Sequence, residues 1–289
     1  MHLGNIWSGL LAWLSARSQG GEMVLRLEDL DPDRCTRAWC DQVMQDLEWL
    51  GLTWDNEPVY QSERTEVYAQ AFHTLEEQGL IYPCYCTRAE RLAASAPHRS
   101  DGQTIYDGRC SRLTEGEREV LSQTRRPAWR VKVGQESITF CDLLQGEYKE
   151  DLKTDCGDFI LRRSDGVYAY QLAVVVDDAA MGVNQVVRGS DLLSSTPRQI
   201  YLQRLLGLPE PEYGHVPLLL SADGRRLAKR DRDQELGELQ SRYTAPELLG
   251  RLAHRAGLIP EPAPITAQQL IPLFSWEKLP RDDLKMEKF

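Results

Sequence analysis

A four-residue run, His2-Leu3-Gly4-Asn5, passes without a break into an apolar helical stretch, and no other feature of this 289-residue chain limits its fold so strongly. Ile6, Leu10, Leu11, Trp13 and Leu14 recur at helical spacing, and Gly20-Gly21 closes the stretch. The amides at a helix N-terminus attract anions, and glycine lets a phosphate come close. His2 adds a donor for phosphate charge. Such a site normally sits where a strand of an α/β sheet feeds a helix. Here it stands at residue 2, so a strand and loop are expected to precede it in the functional protein, with Met1 either an internal methionine taken as the start or the first residue of a truncated sequence.

The rest of the chain alternates helical and strand-like segments. "EMVLRLEDLD" reads as a buried strand ending in acidic residues. A helix is expected from about Cys35 to Leu50, with Trp39, Val43, Leu47 and Leu50 in register, and another from about Glu63 to Glu77. The alternation predicts a parallel α/β layout. It breaks between about Pro83 and Arg163, where cysteines, a polar stretch and short pieces such as "AWRVKV" suggest an insertion with its own small fold. It resumes with "VYAYQLAVVVDD", read as an apolar strand ending in two aspartates. "NQVVRGSDLL" reads as a further strand, and "STPRQIYLQRLLGL" as a helix with Ser195 as N-cap. "HVPLLLSADGRRLAKRD" is a strand and a basic loop, and a helical tail with proline breaks starts near Ala245.

Composition limits the function. The chain carries 34 Lys and Arg against 44 Asp and Glu, a formal charge of −10, so any nucleic acid must be met by local basic surface. Basic clusters stand at Arg125, Arg126, Arg130 and Lys132; at Arg162 and Arg163; and at Arg225, Arg226, Lys229, Arg230 and Arg232. The ordinary reading of the first two is a solvated face. No apolar run of about 18 residues and no signal-peptide pattern is visible, so a cytoplasmic protein without a membrane span is expected. Seven cysteines without a signal argue against a disulfide framework. Cys35, Cys40, Cys141 and Cys156 read as small buried hydrophobes. Cys84, Cys86 and Cys110, with a C-x-C pair, favour tetrahedral Zn²⁺, and spacing alone nominates His98 as fourth ligand.

His2–Asn5 and the basic loop become specific together. The chain resembles a class I aminoacyl-tRNA synthetase of the glutamyl type. His2–Asn5 is similar to the HIGH motif and Arg226–Arg230, "RLAKR", to a degenerate KMSKS motif. Between them lie "LRLEDLDPDR", "VVVDDAAMGVNQVVRGSDLL" and "STPRQ" in the glutamyl order. Only residues 230–289 follow Lys229, too few for the helical anticodon-binding region of a full glutamyl-tRNA synthetase. The chain therefore looks like the glutamyl-Q tRNA(Asp) synthetase family.

That resemblance implies a Rossmann-type catalytic domain in two halves, 1–82 and 164–244. Between them lies an inserted zinc-containing, acceptor-like subdomain, 83–163, and a helical tail, 245–289, follows. It implies ATP-dependent activation of glutamate, with Mg²⁺ assisting, and transfer of glutamate to the queuosine base at the wobble position of tRNA(Asp), by a monomer. His2, Asn5 and Lys229 would be catalytic, and His2, Gly4, Asn5 and Lys229 would bind ATP. Glu28 would face the glutamate amino group, with Tyr170 and Arg188 completing the pocket. Asp29 and Asp31 are expected to cap or orient neighbours, and Asp177 and Asp178 are left open. Tyr106 would replace His98 beside Cys84, Cys86 and Cys110 in a structural Zn²⁺ site. Two alternatives stand beside this reading: a glutamyl-tRNA synthetase fragment that charges a tRNA 3′ end, and an inactive glutamate- or RNA-binding paralogue.

Overall fold

A computed structural model describes residues 1–31, 35–87, 90, 105–225 and 235–286. The first helix, α1 (Leu3–Ser18), forms as its pattern predicts. Leu3, Ile6, Trp7, Leu10, Leu11, Trp13 and Leu14 all enter the core. Gly20 takes the left-handed φ of 68° that lets the chain turn away. Strand β1 (Arg26–Leu27) pairs in parallel with β2 (Val59–Tyr60) around α2 (Arg37–Leu50), and α3 (Thr65–Glu77) follows. Leu50 is buried on α2 and Leu47 packs against the core, but Trp39 is 55 % exposed, contrary to the expected register. The buried face of α2 instead carries Cys40, Asp46 and Leu50.

Strand direction changes in the middle of the chain. β3 (Ile81–Cys84), β4 (Ala128–Val131) and β7 (Ile160–Arg162) form an antiparallel sheet in the order β3-β4-β7. β5 (Ser137–Asp142) and β6 (Gly146–Asp151) form a hairpin, and α4 (Glu115–Ser122) precedes β4. Parallel pairing returns with β8 (Gln185–Gly189) on β9 (Glu212–Val216), joined through a 3-10 turn and α6 (Thr196–Leu206).

The segment expected to be an apolar strand before β8 is instead a helix, α5 (Tyr170–Ala180). Residues Leu172 to Asp178 are buried without interruption. A continuous apolar run carries neither the two-residue nor the 3.6-residue period, so its sequence does not separate the two structures. Ser195 occupies the N-cap position of α6, yet its side chain accepts no hydrogen bond there. The tail holds α7 (Leu236–Gln240), α8 (Ala245–Arg255) and α9 (Ala267–Leu270), plus an unexpected strand. That strand, β11 (Leu284–Lys285), lies parallel to β10 (Leu219–Leu220).

Two large apolar clusters hold most of these elements, beside two small ones around Cys84 and Cys40. One large cluster joins α1 to β9, β10 and the tail helices, with Leu10, Val216, Leu248 and Leu270 inside it. The other large one joins α3, α5 and α6 to the central sheets through Tyr68, Val131, Val175 and Leu202. Gly250 of α8 is in close contact with the 263–264 segment: a Cβ there would lie 1.9 Å from the Ala263 carbonyl oxygen. No helix among the described residues is long and apolar enough to cross a membrane.

Candidate active site

The N-terminus of α1 is built by its own side chains. His2 Nδ1 accepts from the Gly4 amide at 3.1 Å, and Asn5 Oδ1 accepts from the His2 amide at 3.3 Å. Burial, helped by the nearby terminal ammonium, holds the His2 imidazole below its ordinary value, against the pull of Glu235. A neutral ring whose Nδ1 accepts must carry its proton on Nε2, so that edge is the donor available to an anion. Gly4 lies under the ring, where a Cβ would stand 3.1 Å from it. Arg226, Lys229 and Arg230 lie outside the described residues. Glu235 bridges to His2, and the Leu236 amide donates to the Met1 carbonyl at 2.8 Å, so the start of α7 is tied to the start of α1.

A second group of polar side chains gathers near the ends of β1 and β8. Arg188, the penultimate residue of β8, makes four donor contacts. Its Nε donates to His215 Nε2 at 3.1 Å, Nη1 to the Tyr170 hydroxyl at 3.3 Å, and Nη2 to Thr196 Oγ1 at 2.8 Å and the Leu192 carbonyl at 3.5 Å. Tyr170 opens α5, and burial pushes its phenol up, opposed by Arg188. Glu28 follows β1 with its side chain 45 % exposed, 3.5 Å from Arg26 Nη2. Desolvation by the surrounding walls raises its carboxyl above the ordinary range, and Arg26 opposes that rise. The structure thus brings Tyr170 and Arg188 into contact and sets Glu28 within electrostatic reach of Tyr170.

The aspartates divide by role. Asp177 is fully buried and accepts from Gln61 Nε2 at 2.8 Å, Arg64 Nε at 2.6 Å and the Tyr68 hydroxyl at 2.8 Å. It is a structural anchor between α3 and α5. Asp178 pairs with Arg26 at 2.6 Å. Asp29 accepts from the Ser62 amide at 2.8 Å and its hydroxyl at 2.7 Å, fixing the turn after β2. Asp31 pairs with Arg163 at 3.4 Å. Arg26 and the trio Asp142, Thr196 and His215 were not singled out from the sequence. The one available signal for Arg26 was a charge inside an otherwise apolar strand.

The cysteines converge as their spacing suggests. The Sγ atoms of Cys84, Cys86 and Cys110 lie within 4.8 Å of one another. Cys86 and Cys110 are 3.5 Å apart, and the Tyr106 hydroxyl is 3.5 Å from both Cys84 and Cys86. A tetrahedral ion with sulfur at about 2.3 Å and oxygen at about 2.0 Å sets S···S edges near 3.8 Å and S···O edges near 3.5 Å. The four side chains fit Zn²⁺ by that measure. His98 lies outside the described residues. A hydrogen bond from Cys110, supported by Arg130, lowers the Cys84 thiol to about 4 despite burial, while Cys110 is pushed up by giving that bond. Arg130 is not the solvated cation expected: it is 5 % exposed, donates to Cys84 Sγ at 3.3 Å and to the Asp158 carbonyl at 2.6 Å, and stacks on Tyr106. A buried cation beside thiolates is the partner their charge requires. Among the other cysteines, Cys141 is exposed rather than buried, on the outer side of the β5–β6 hairpin.

Comparison with known proteins closes the question of family. Residues 1–280 match the model "tRNA synthetases class I (E and Q), catalytic domain". The chain is 46 % identical over 299 aligned residues to the glutamyl-Q tRNA(Asp) synthetase of Symbiobacterium thermophilum, covering 99 % of this chain and 92 % of that protein. It is 47 % identical to the enzyme of the same name from Nitratidesulfovibrio vulgaris, covering 97 % and 90 %. A crystal structure of a glutamate tRNA ligase from Elizabethkingia meningosepticum shares the fold, with a TM-score of 0.83 at 23 % identity, and this chain spans 65 % of that one. With its α/β elements, His2–Asn5 helix start and Arg188–Tyr170 cleft, the chain belongs to the class I tRNA synthetases of the E and Q type and, among them, to the glutamyl-Q tRNA(Asp) synthetase family.

Proposed function

We propose that this protein activates glutamate with ATP and transfers it to the queuosine base of tRNA(Asp). The observation that carries the reading is similarity over 99 % of the chain to an enzyme of that name. In the first step a glutamate α-carboxylate oxygen attacks the α-phosphorus of ATP, pyrophosphate leaves, and glutamyl adenylate remains. In the second, a hydroxyl of the queuosine cyclopentene ring attacks the acyl carbon, the ester forms and AMP leaves.

The residues supply positioning and charge rather than covalent chemistry. Arg188 has five N–H donors and four of the contacts above, which leaves an Nη1 N–H to meet a substrate carboxylate. Tyr170 accepts from Arg188, so its own O–H is directed onward to the same group. Glu28, open to solvent, meets the ammonium end. The Nε2–H of His2, at the positive end of α1 with Gly4 and Asn5, faces the phosphates, and Lys229 neutralises the leaving pyrophosphate. Mg²⁺ comes with the nucleotide, which uses it to offset phosphate charge. Cys84, Cys86, Tyr106 and Cys110 hold Zn²⁺, which braces the 83–163 insertion against its sheet. The protein works in the cytoplasm as a monomer.

Glutamate-dependent ATP–pyrophosphate exchange, followed by transfer of labelled glutamate to tRNA(Asp) with and without queuosine, tests the reading. Exchange plus transfer only to the queuosine-containing tRNA is expected. Transfer to both tRNAs would place glutamate at the 3′ end, and absence of exchange would leave an inactive binding protein.

A further inference from the structure

Three side chains behind Arg188 form a closed hydrogen-bond circuit that the proposed chemistry does not use. Asp142, at the end of β5, is 2 % exposed, and His215 of β9 and Thr196 at the start of α6 are fully buried. Asp142 Oδ1 accepts from the amides of Leu144 at 3.0 Å, Gln145 at 2.9 Å and His215 at 3.1 Å. Its Oδ2 lies 2.6 Å from His215 Nδ1. Burial alone would raise this carboxyl, but the donors from His215, Gln145 and Leu144 hold it below its ordinary value. An ionised carboxylate only accepts, so His215 Nδ1 carries a proton.

The other ring nitrogen faces obligate donors. Arg188 Nε lies 3.1 Å from His215 Nε2, and a guanidinium N–H cannot accept. Nε2 therefore presents its lone pair. Thr196 completes the circuit: its oxygen accepts from Arg188 Nη2 at 2.8 Å, and at 3.2 Å from His215 Nε2 its own O–H points to the same lone pair. The remaining neighbours do not disturb this assignment. Tyr213 stacks on the ring at 6.3 Å and 16°, and Asp191 adds a weaker field. Each donor has one acceptor only if His215 is neutral with its proton on Nδ1.

We propose that Asp142 and His215 are positioning residues that fix the guanidinium of Arg188 for glutamate by locking a single histidine tautomer. The inference rests on Arg188 being the arginine that grips the substrate carboxylate. Asp142 acts at two removes, with no contact to Arg188 or to the ligand. Asp142→Asn tests this sharply. The three backbone donors keep the amide oxygen in the Oδ1 place, so the Nδ2 group replaces Oδ2 and donates to His215 Nδ1. The proton must then move to Nε2, where it opposes Arg188 Nε–H.

The test is glutamate-dependent ATP–pyrophosphate exchange on the full chain, with KM for glutamate and for ATP measured separately. Asp142→Asn and His215→Asn are expected to raise the glutamate KM about tenfold or more, with the ATP KM within about twofold. His215→Gln, which can return an acceptor to the Nε2 position, is expected to recover part of the loss. Arg188→Lys is the control. If it weakens glutamate while folded Asp142→Asn and His215→Asn bind glutamate normally, the positioning role is overturned and the Arg188 reading stands. If Arg188→Lys leaves the glutamate KM unchanged, that reading falls and takes this inference with it. One measurement needs no variant: nitrogen-15 NMR of the unmodified protein at neutral pH. A proton bonded to Nδ1 of His215 and none on Nε2 is expected, and a proton on Nε2 overturns the proposal.

Discussion

The cysteine knuckle and the Arg188 cleft are built in opposite ways. The knuckle draws its donors from one short span at the end of β3, with hydrogen-bond partners 20 to 24 residues apart. The cleft joins β1, α5, β8, α6 and β9, with Arg26 meeting Asp178 across 152 residues and His215 meeting Asp142 across 73. The knuckle contains groups spaced to hold a metal. The cleft contains groups that largely satisfy one another and leave a few donors outward. A local site of this kind should govern stability, whereas an assembled one should govern affinity, because small shifts of distant elements alter its geometry first.

The largest effect that could break this contrast is Arg188→Ala. It should lower kcat/KM for glutamate in the exchange reaction by about 100-fold or more, the equivalent of about 3 kcal/mol, while thermal unfolding moves little. Equal losses of activity and melting temperature would erase the distinction between the regions. Cys110→Ser should do the reverse: zinc content measured by atomic emission falls, and the protein loses about 3 kcal/mol, or roughly 6–12 °C in Tm. Its glutamate KM should stay near that of the parent. Gly250→Ala should cost about 1–3 kcal/mol in denaturant unfolding, because its Cβ would overlap the Ala263 backbone rather than a movable side chain.

The smallest effect concerns pH. Desolvation first, and then Arg188, hold the His215 imidazole below its ordinary value, although Asp142 opposes them. The folded state therefore resists a proton that the unfolded chain accepts. Stability from this group is full above about pH 6.5 and declines as pH falls below it. Asp142, whose folded value is depressed, adds a second loss below about pH 4. The Tm of the parent protein should drop between pH 7 and 5 more steeply than that of His215→Asn. Parallel curves would remove His215 from the acid response.

The C-x-C pair, the helix that starts at His2–Asn5 and the return of α/β alternation at β8 were all legible in the sequence, since each leaves a local pattern of residue type or period. The helix at Tyr170–Ala180 was not. Its buried face extends all the way round, which removes the periodicity that would mark it. Arg130 read as one more cation in a basic run because burial is invisible in composition; only the sheet register sets Trp129 and Arg130 against β7 and turns Arg130 toward Cys84.

The sequence alone marked the family, the three cysteines with Tyr106, and Glu28, Tyr170 and Arg188 as the residues to look at. The tertiary structure alone decided what those groups do to each other. It buried Asp177 as an anchor, left Glu28 open, and placed His215 between an acceptor-only carboxylate and a donor-only guanidinium. The physical reason is that protonation state and hydrogen-bond direction belong to pairs of groups at close range. When the members of a pair lie many residues apart, no local pattern records that they will meet.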